Sequence, residues 1–159
     1  MKDIPMSIYT TLQRLNIELP SAAPPVGAYL MSAPSGALVY LSGHIAKKDG
    51  RPWAGKLGAD MTTDTARLAA RAVAIDLLAT MHAHTGDLNR VRRIVKLSSL
   101  VNATPDFTEA HLVTNGASEL LVEVFGEAGK HARCAFGVAQ LPLGACVEIE
   151  LIAEIASQP

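Results

Sequence analysis

Two charged side chains near the end of the chain, Arg133 and Glu148, have neighbours that suit them to chemistry. Read as a strand, residues 132–141 place side chains alternately on two faces. Arg133, Ala135, Gly137 and Ala139 share one face, and Cys134, Phe136 and Val138 share the other. The arginine thus projects from a face of Ala and Gly, with room for a ligand beside it. Its planar fork suits a carboxylate, which it binds through two parallel hydrogen bonds. In a following strand, residues 146–155, Cys146, Glu148 and Glu150 share a face opposite Val147, Ile149 and Leu151. With Pro142-Leu143-Gly144 as the turn, the two strands read as a hairpin from Ala132 to Ile152. Glu148 would then stand on the strand next to Arg133, placed to orient a water or move a proton. A structural ion pair at a sheet edge has the same spacing, and periodicity does not separate the two readings.

Other residue types offer less. His44, His82, His84, His111 and His131 show no metal-ligand spacing except the His82/His84 pair. Two residues apart on a helix, those rings point about 200° from each other, which excludes a shared ion. Ser42-Gly43-His44 lies in no G-x-S-x-G nucleophile elbow. There is no phosphate-binding P-loop and no dinucleotide glycine fingerprint. Cys134 adjoins Arg133, which could lower its thiol pKa, but a buried strand cysteine is the stronger reading.

Composition narrows the class. The 159 residues suit one domain, and with 49% hydrophobic and 18% charged residues the chain can build a core. The net charge of −1 lacks the basic surplus that nucleic-acid binding uses. The cluster Arg90, Arg92, Arg93 and Lys96 reads as a solvated turn and strand edge. Two cysteines make neither a disulfide scaffold nor a zinc site. The opening MKDIPMSIYT has no signal-peptide run, and no stretch reaches the about 20 apolar residues of a membrane helix. The expectation is a cytoplasmic protein without membrane or nucleic-acid partners.

The elements that must carry these residues follow from periodicity. Ser7–Leu15 predicts a short helix, and the proline-rich stretch 19–26 ends it. Together they make residues 1–23 an N-terminal helix and linker before a single domain, 24–157. Tyr29–Met31 and Leu38–Leu41 predict strands about a Pro34-Ser35-Gly36 turn. Lys47–Gly50 is a second turn, and a further short strand is possible near 56–61. A long helix starts at Thr62, Thr63 or Asp64, buries Ala66, Ala69, Ala70, Val73, Leu77 and Met81, and stops at Gly86. Val91–Val101 is a strand, 108–125 a second helix, and two strands close the chain. The fold class is α+β, a mixed β-sheet with two main helices packed on one face.

Several of these segments resemble the RidA (YjgF) family, enamine/imine deaminases also known as the L-PSP endoribonuclease family. Ala132-Arg133-Cys134, Val138-Ala139-Gln140-Leu141-Pro142 and Val147-Glu148-Ile149-Glu150-Leu151-Ile152-Ala153 are similar to its signature. Gly27-Ala28-Tyr29, Leu41-Ser42-Gly43 and Gly86-Asp87-Leu88 with Val95-Lys96 resemble its earlier motifs in the same order. Asn115 falls near the family's asparagine at the second helix. The chain departs from the pattern at Ala28, where the family has proline, at Cys134 and Ala135, and in residues 126–131. With its N-terminal extension it looks like a divergent, longer branch.

The resemblance implies a chorismate-mutase-like fold and a homotrimer with ligand clefts between subunits. It implies that Arg133 holds a substrate carboxylate and Glu148 positions the attacking water. Tyr29, Ser42, Gly43, Asn115, Cys134 and Ala135 would line the cleft. The implied reaction is hydrolysis of a 2-imino or enamino acid to a 2-keto acid and ammonia, with no metal and no organic cofactor. Two other readings remain at this stage. One is a non-catalytic trimer that binds a keto acid through the same arginine. The other is a ribonuclease, which the net charge and the lack of an aromatic stacking platform disfavour.

Overall fold

The computed structural model describes residues 7–156, so the outer ends of both predicted segments, residues 1–6 and 157, lie outside the described residues. The described residues form three α-helices: α1 (Ile8–Arg14), α2 (Thr63–Thr85) and α3 (Ala110–Phe125). The main strands are β1 (Ser32–Ser35), β2 (Leu38–Ile45), β5 (Val91–Asn102), β6 (Ala132–Val138) and β7 (Val147–Ile155). A two-residue pair, β3 (Lys47–Lys48) and β4 (Arg51–Pro52), flanks the Asp49-Gly50 turn. The five main strands form one sheet in the order β1-β2-β7-β5-β6. The β5–β6 pair is parallel and the others are antiparallel.

The helices α2 and α3 cover one face of this sheet. Thr62 caps α2 by accepting the Thr65 N–H, and Gly86, left-handed at φ 70°, ends it. The α2 stripe is largely alanine, so the helices approach closely. At Gly116 of α3 a Cβ would collide with the Arg67 carbonyl of α2. Arg67 pairs with Glu119 at 2.5 Å and Arg71 with Glu123 at 2.8 Å. Both pairs advance in the same direction along the two helices, so α2 and α3 run parallel. Exposed pairs of this kind contribute under about 1 kcal/mol each. The larger contribution comes from Leu77, Leu120, Leu121, Ile149 and Leu151, all essentially buried between helices and sheet, at about 1.5–3 kcal/mol each.

Four expectations change. Tyr29–Met31 is not strand; β1 starts at Ser32, and the turn falls at Gly36-Ala37. Pro34 fits inside β1 because β1 is an edge strand, where its missing N–H breaks no ladder bond. Residues 56–61 form isolated bridges from Leu57 to Met61 and Ala103 rather than a strand. Cys146 precedes β7 and is buried in the core instead of sharing the Glu148 face. The most consequential change concerns residues 132–152, which are not a hairpin. A parallel strand pair needs a crossover connection; α3 supplies it and leaves β6 on the outer edge of β5. The connection 139–146 then passes the end of β5. Asn102 N–H donates to the Cys146 carbonyl at 2.9 Å and Lys56 Nζ to the Ala139 carbonyl at 2.7 Å, holding it there.

The helix α1 also docks on the domain. Leu12 is buried, the Tyr9 hydroxyl accepts the Leu88 N–H at 2.8 Å, and it lies 2.9 Å from His82 Nδ1. Among the described residues no helix covers the opposite face of the sheet. Tyr40 and Phe136 stay 44% and 47% exposed on it, beside half-buried Leu100 and Ile152.

Candidate active site

The sheet register decides where the two charged residues point. Leu97 of β5 stands opposite both Arg133 of β6 and Leu151 of β7. Leu97 and Leu151 are core residues, so Arg133 lies on the helix-covered side. Leu100 stands opposite both Phe136 and Glu148, so Glu148 lies on the open side. Within one chain the pair is separated by β5 and by the thickness of the sheet. The edge ion pair that the spacing allowed is absent among the described residues.

Arg133 lies across α3. Nη1 donates to Ser118 Oγ at 3.1 Å and Nη2 to the His111 carbonyl at 3.2 Å. Both acceptors are uncharged, and no carboxylate of the described residues pairs with the guanidinium. Asn115 is half-buried on the same helix stripe, four residues after His111 and three before Ser118. Ala135 shares the Arg133 face by register, and Gly137 beyond it is exposed. Cys134, opposite Ser98, is on the open face and half-buried. Ser118 also bonds His131, whose Nε2 is 3.0 Å from Ser118 Oγ and whose Nδ1 is 2.6 Å from the Gly129 carbonyl. Burial, more than the nearby Arg133 charge, holds the His131 pKa below its usual value against the Gly129 bond, which raises it.

The second group of residues surrounds a bulge in β2. The ladder jumps from Leu41–Leu151 to His44–Ile149, so Ser42 and Gly43 face a single partner residue. The Glu148 side chain rests on Gly43. A Cβ there would overlap the carboxylate, with Cδ only 3.0 Å and Cγ 3.2 Å away. Burial, then Glu150, raises the Glu148 carboxyl above the ordinary carboxylate range. The Ser42 hydroxyl donates to the Leu30 carbonyl at 2.5 Å, and its N–H donates to the Met31 carbonyl at 3.0 Å. These bonds pin the loop that carries exposed Tyr29, whose hydroxyl accepts the Val26 N–H at 3.4 Å.

His44 holds the bulge from below. Its Nδ1–H donates to the Ser42 carbonyl at 2.7 Å, which leaves Nε2 to accept the Thr80 hydroxyl of α2 at 2.7 Å. Burial is the main cause of its lowered pKa. His44, Ser118 and His131 were not singled out from sequence. The signal for His44 was its place directly after Ser42-Gly43, and for Ser118 its place one turn after Asn115.

The candidate residues therefore fall into two groups on opposite faces of the sheet. One, on the helix side, carries Arg133, Asn115 and Ala135. The other, on the open side, carries Glu148, Gly43, Ser42 and the Tyr29 loop. An unpaired arginine and a carboxyl of raised pKa are the elements of a site for a small anion and a proton transfer.

A helix-covered mixed sheet of this topology is a chorismate-mutase-like α+β fold. Over residues 10–155 the chain matches the family described as "YjgF/chorismate_mutase-like, putative endoribonuclease", and it belongs to that family. It is 48% identical to "Protein TCP17" of Trypanosoma cruzi over 93% of this chain and 94% of that protein. It is similar to the protein Atu1372 of Agrobacterium tumefaciens, whose structure carries the description "unknown function". The identity is 42% and the TM-score 0.86, with 93% of this chain and 92% of that one covered. It is also similar to a structure described as "a putative endoribonuclease" from Shewanella oneidensis. There the identity is 30% and the TM-score 0.90, covering 94% of this chain and all of that one. No helix among the described residues is long and apolar enough to cross a membrane.

Proposed function

We propose that the chain forms a homotrimer and hydrolyses reactive 2-imino and enamino acids to 2-keto acids and ammonia. Each site is a cleft where the Arg133 side of one subunit meets the Glu148 side of the next. The observation that carries this reading is the state of Arg133: held by a hydroxyl and a carbonyl, with no acidic partner to neutralise it. The fork is oriented and its charge is left for a carboxylate. The opposite-face placement of Glu148 supports an intersubunit cleft, since one chain cannot bring the two together.

The chemistry asked of the site is modest. The imine carbon is already electrophilic, so orientation and a positioned water do most of the work. Water adds its oxygen to that carbon and gives a proton to the Glu148 carboxylate. With a protonated imine this gives a neutral carbinolamine; Glu148 returns the proton to its nitrogen, the C–N bond breaks, and the hydroxyl proton departs with ammonia as ammonium, leaving the keto acid. A carboxyl held above its ordinary range by burial is matched to taking and returning a proton. Tyr29, Ser42, Gly43 and Asn115 line the cleft, and the site uses no metal or organic cofactor.

The test couples the purified protein to an amino-acid oxidase or a threonine dehydratase and follows imine decay. Faster decay than the spontaneous rate is expected. Replacing Arg133 by Gln should lower kcat/KM by about 10–100-fold, the size of one or two charge-assisted hydrogen bonds. No acceleration with any imine, together with calorimetric binding of 2-ketobutyrate, would instead favour a keto-acid-binding trimer.

A further inference from the structure

The hydrogen bonds behind Arg133 fix their own direction. The Gly129 carbonyl only accepts, so His131 Nδ1, 2.6 Å away, carries the ring proton. In the neutral ring Nε2 is then an acceptor, and the Ser118 hydroxyl, 3.0 Å away, gives it its one hydrogen. Arg133 Nη1 donates to that same hydroxyl oxygen at 3.1 Å. Donors and acceptors match along the whole chain from Arg133 through Ser118 and His131 to Gly129. We propose that Ser118 and His131 are positioning residues that set Arg133 for its carboxylate and couple that carboxylate to the charge on His131. This rests on Arg133 being the carboxylate anchor.

The coupling follows from the geometry. A protonated His131 donates from Nε2, so Ser118 turns its hydrogen away and accepts from both sides. The imidazolium then lies one hydroxyl from the guanidinium. Arg133 on β6 is the unpaired charge facing the ring. On α3, Glu119 beside Ser118 is paired with Arg67, and in the segment 126–129 Glu127 is paired with Lys130. An anion on Arg133 relieves the repulsion, so His131 takes a proton more readily in the complex. By reciprocity the carboxylate binds more tightly when His131 is protonated.

The experiment has two arms on the full chain. In the first, without ligand, NMR follows the His131 ring as pH is lowered; Arg133→Gln should raise its titration midpoint. An unchanged midpoint overturns the coupling. In the second, calorimetry measures binding of 2-ketobutyrate. Ser118→Ala should weaken it about tenfold at an unaltered melting temperature, and Ser118→Thr should restore it. His131→Gln, which keeps an acceptor for Ser118, should flatten the pH dependence to the share that Glu148 contributes. Full affinity in Ser118→Ala overturns the positioning role. Coupling in the first arm with no 2-ketobutyrate binding by the unmutated protein supports the relay and overturns the carboxylate reading.

Discussion

At Gly43 a single hydrogen atom decides where a carboxylate rests. Any side chain there would occupy the space of the Glu148 carboxyl group. Gly43→Ala should therefore displace Glu148 and lower kcat about 100-fold, as misplacement of a reacting group by about 1 Å does; a kcat within twofold of wild type would show that the seat is irrelevant. Glu148 itself carries a stability signature. Its folded-state pKa is raised, so the folded protein holds the proton more tightly than the unfolded chain. The resulting penalty is absent below about pH 4 and grows as pH rises through the raised value. Glu148→Gln removes it, so the variant should melt higher than wild type at neutral pH and equally in acid. A lower melting temperature at neutral pH would mean that the carboxylate has a cationic partner in the assembled protein. Arg133 and Glu148 stood out in the sequence as candidates because a lone arginine among Ala and Gly, and a glutamate alternating with Val and Ile, break a pattern, but periodicity left a structural ion pair equally open. Ser118 and His131 were not, because a hydroxyl on a helix and a histidine before a strand break none.

The elements explain why the positions of those residues were misread. Alternation along β6 and β7 correctly sorted the Arg133 face from the Cys134 face, and Glu148 from Ile149. It could not reveal which strand lies beside which. Pairing depends on α3 returning the chain parallel to β5, and that is a property of the crossover, not of either strand. Helix boundaries were more readable: Thr62, Gly86 and Gly126 each mark an end through a cap or a positive φ. The crossing of α2 over α3 is another matter, since it depends on one glycine against one carbonyl. Gly116→Ala should force the helices apart and destabilise the protein by about 1–3 kcal/mol, read as a lower midpoint in denaturant. An unchanged midpoint would mean that the Arg67 backbone yields at no cost.

For the whole molecule, the placement of Arg133 and Glu148 on opposite faces of the sheet has a consequence under the proposed function that no single-chain assay reveals. If every cleft takes Arg133 from one subunit and Glu148 from its neighbour, Arg133→Gln and Glu148→Gln each impair every cleft when alone. Unfolded together in equal amounts and refolded, they should regain activity in about a quarter of the clefts, those that draw both intact sides. Mixtures that stay inactive would place both residues' roles elsewhere, and light scattering of a monomer at micromolar concentration would remove the cleft altogether. The family and the α+β architecture were readable from composition, periodicity and signature residues. The expected assembly rests on the resemblance alone, because a chain's sequence does not state which of its faces meets a copy.

The two rims of the sheet differ in kind. On one side β1 presents Pro34, a residue that cannot serve as a rung for an added strand. On the other side β6 carries no proline between Ala132 and Val138. Edge-on polymerisation needs two receptive rims per molecule, one to extend and one to be extended. Pro34 therefore works against strand-by-strand growth through the β1 rim and leaves β6 as the rim open to pairing.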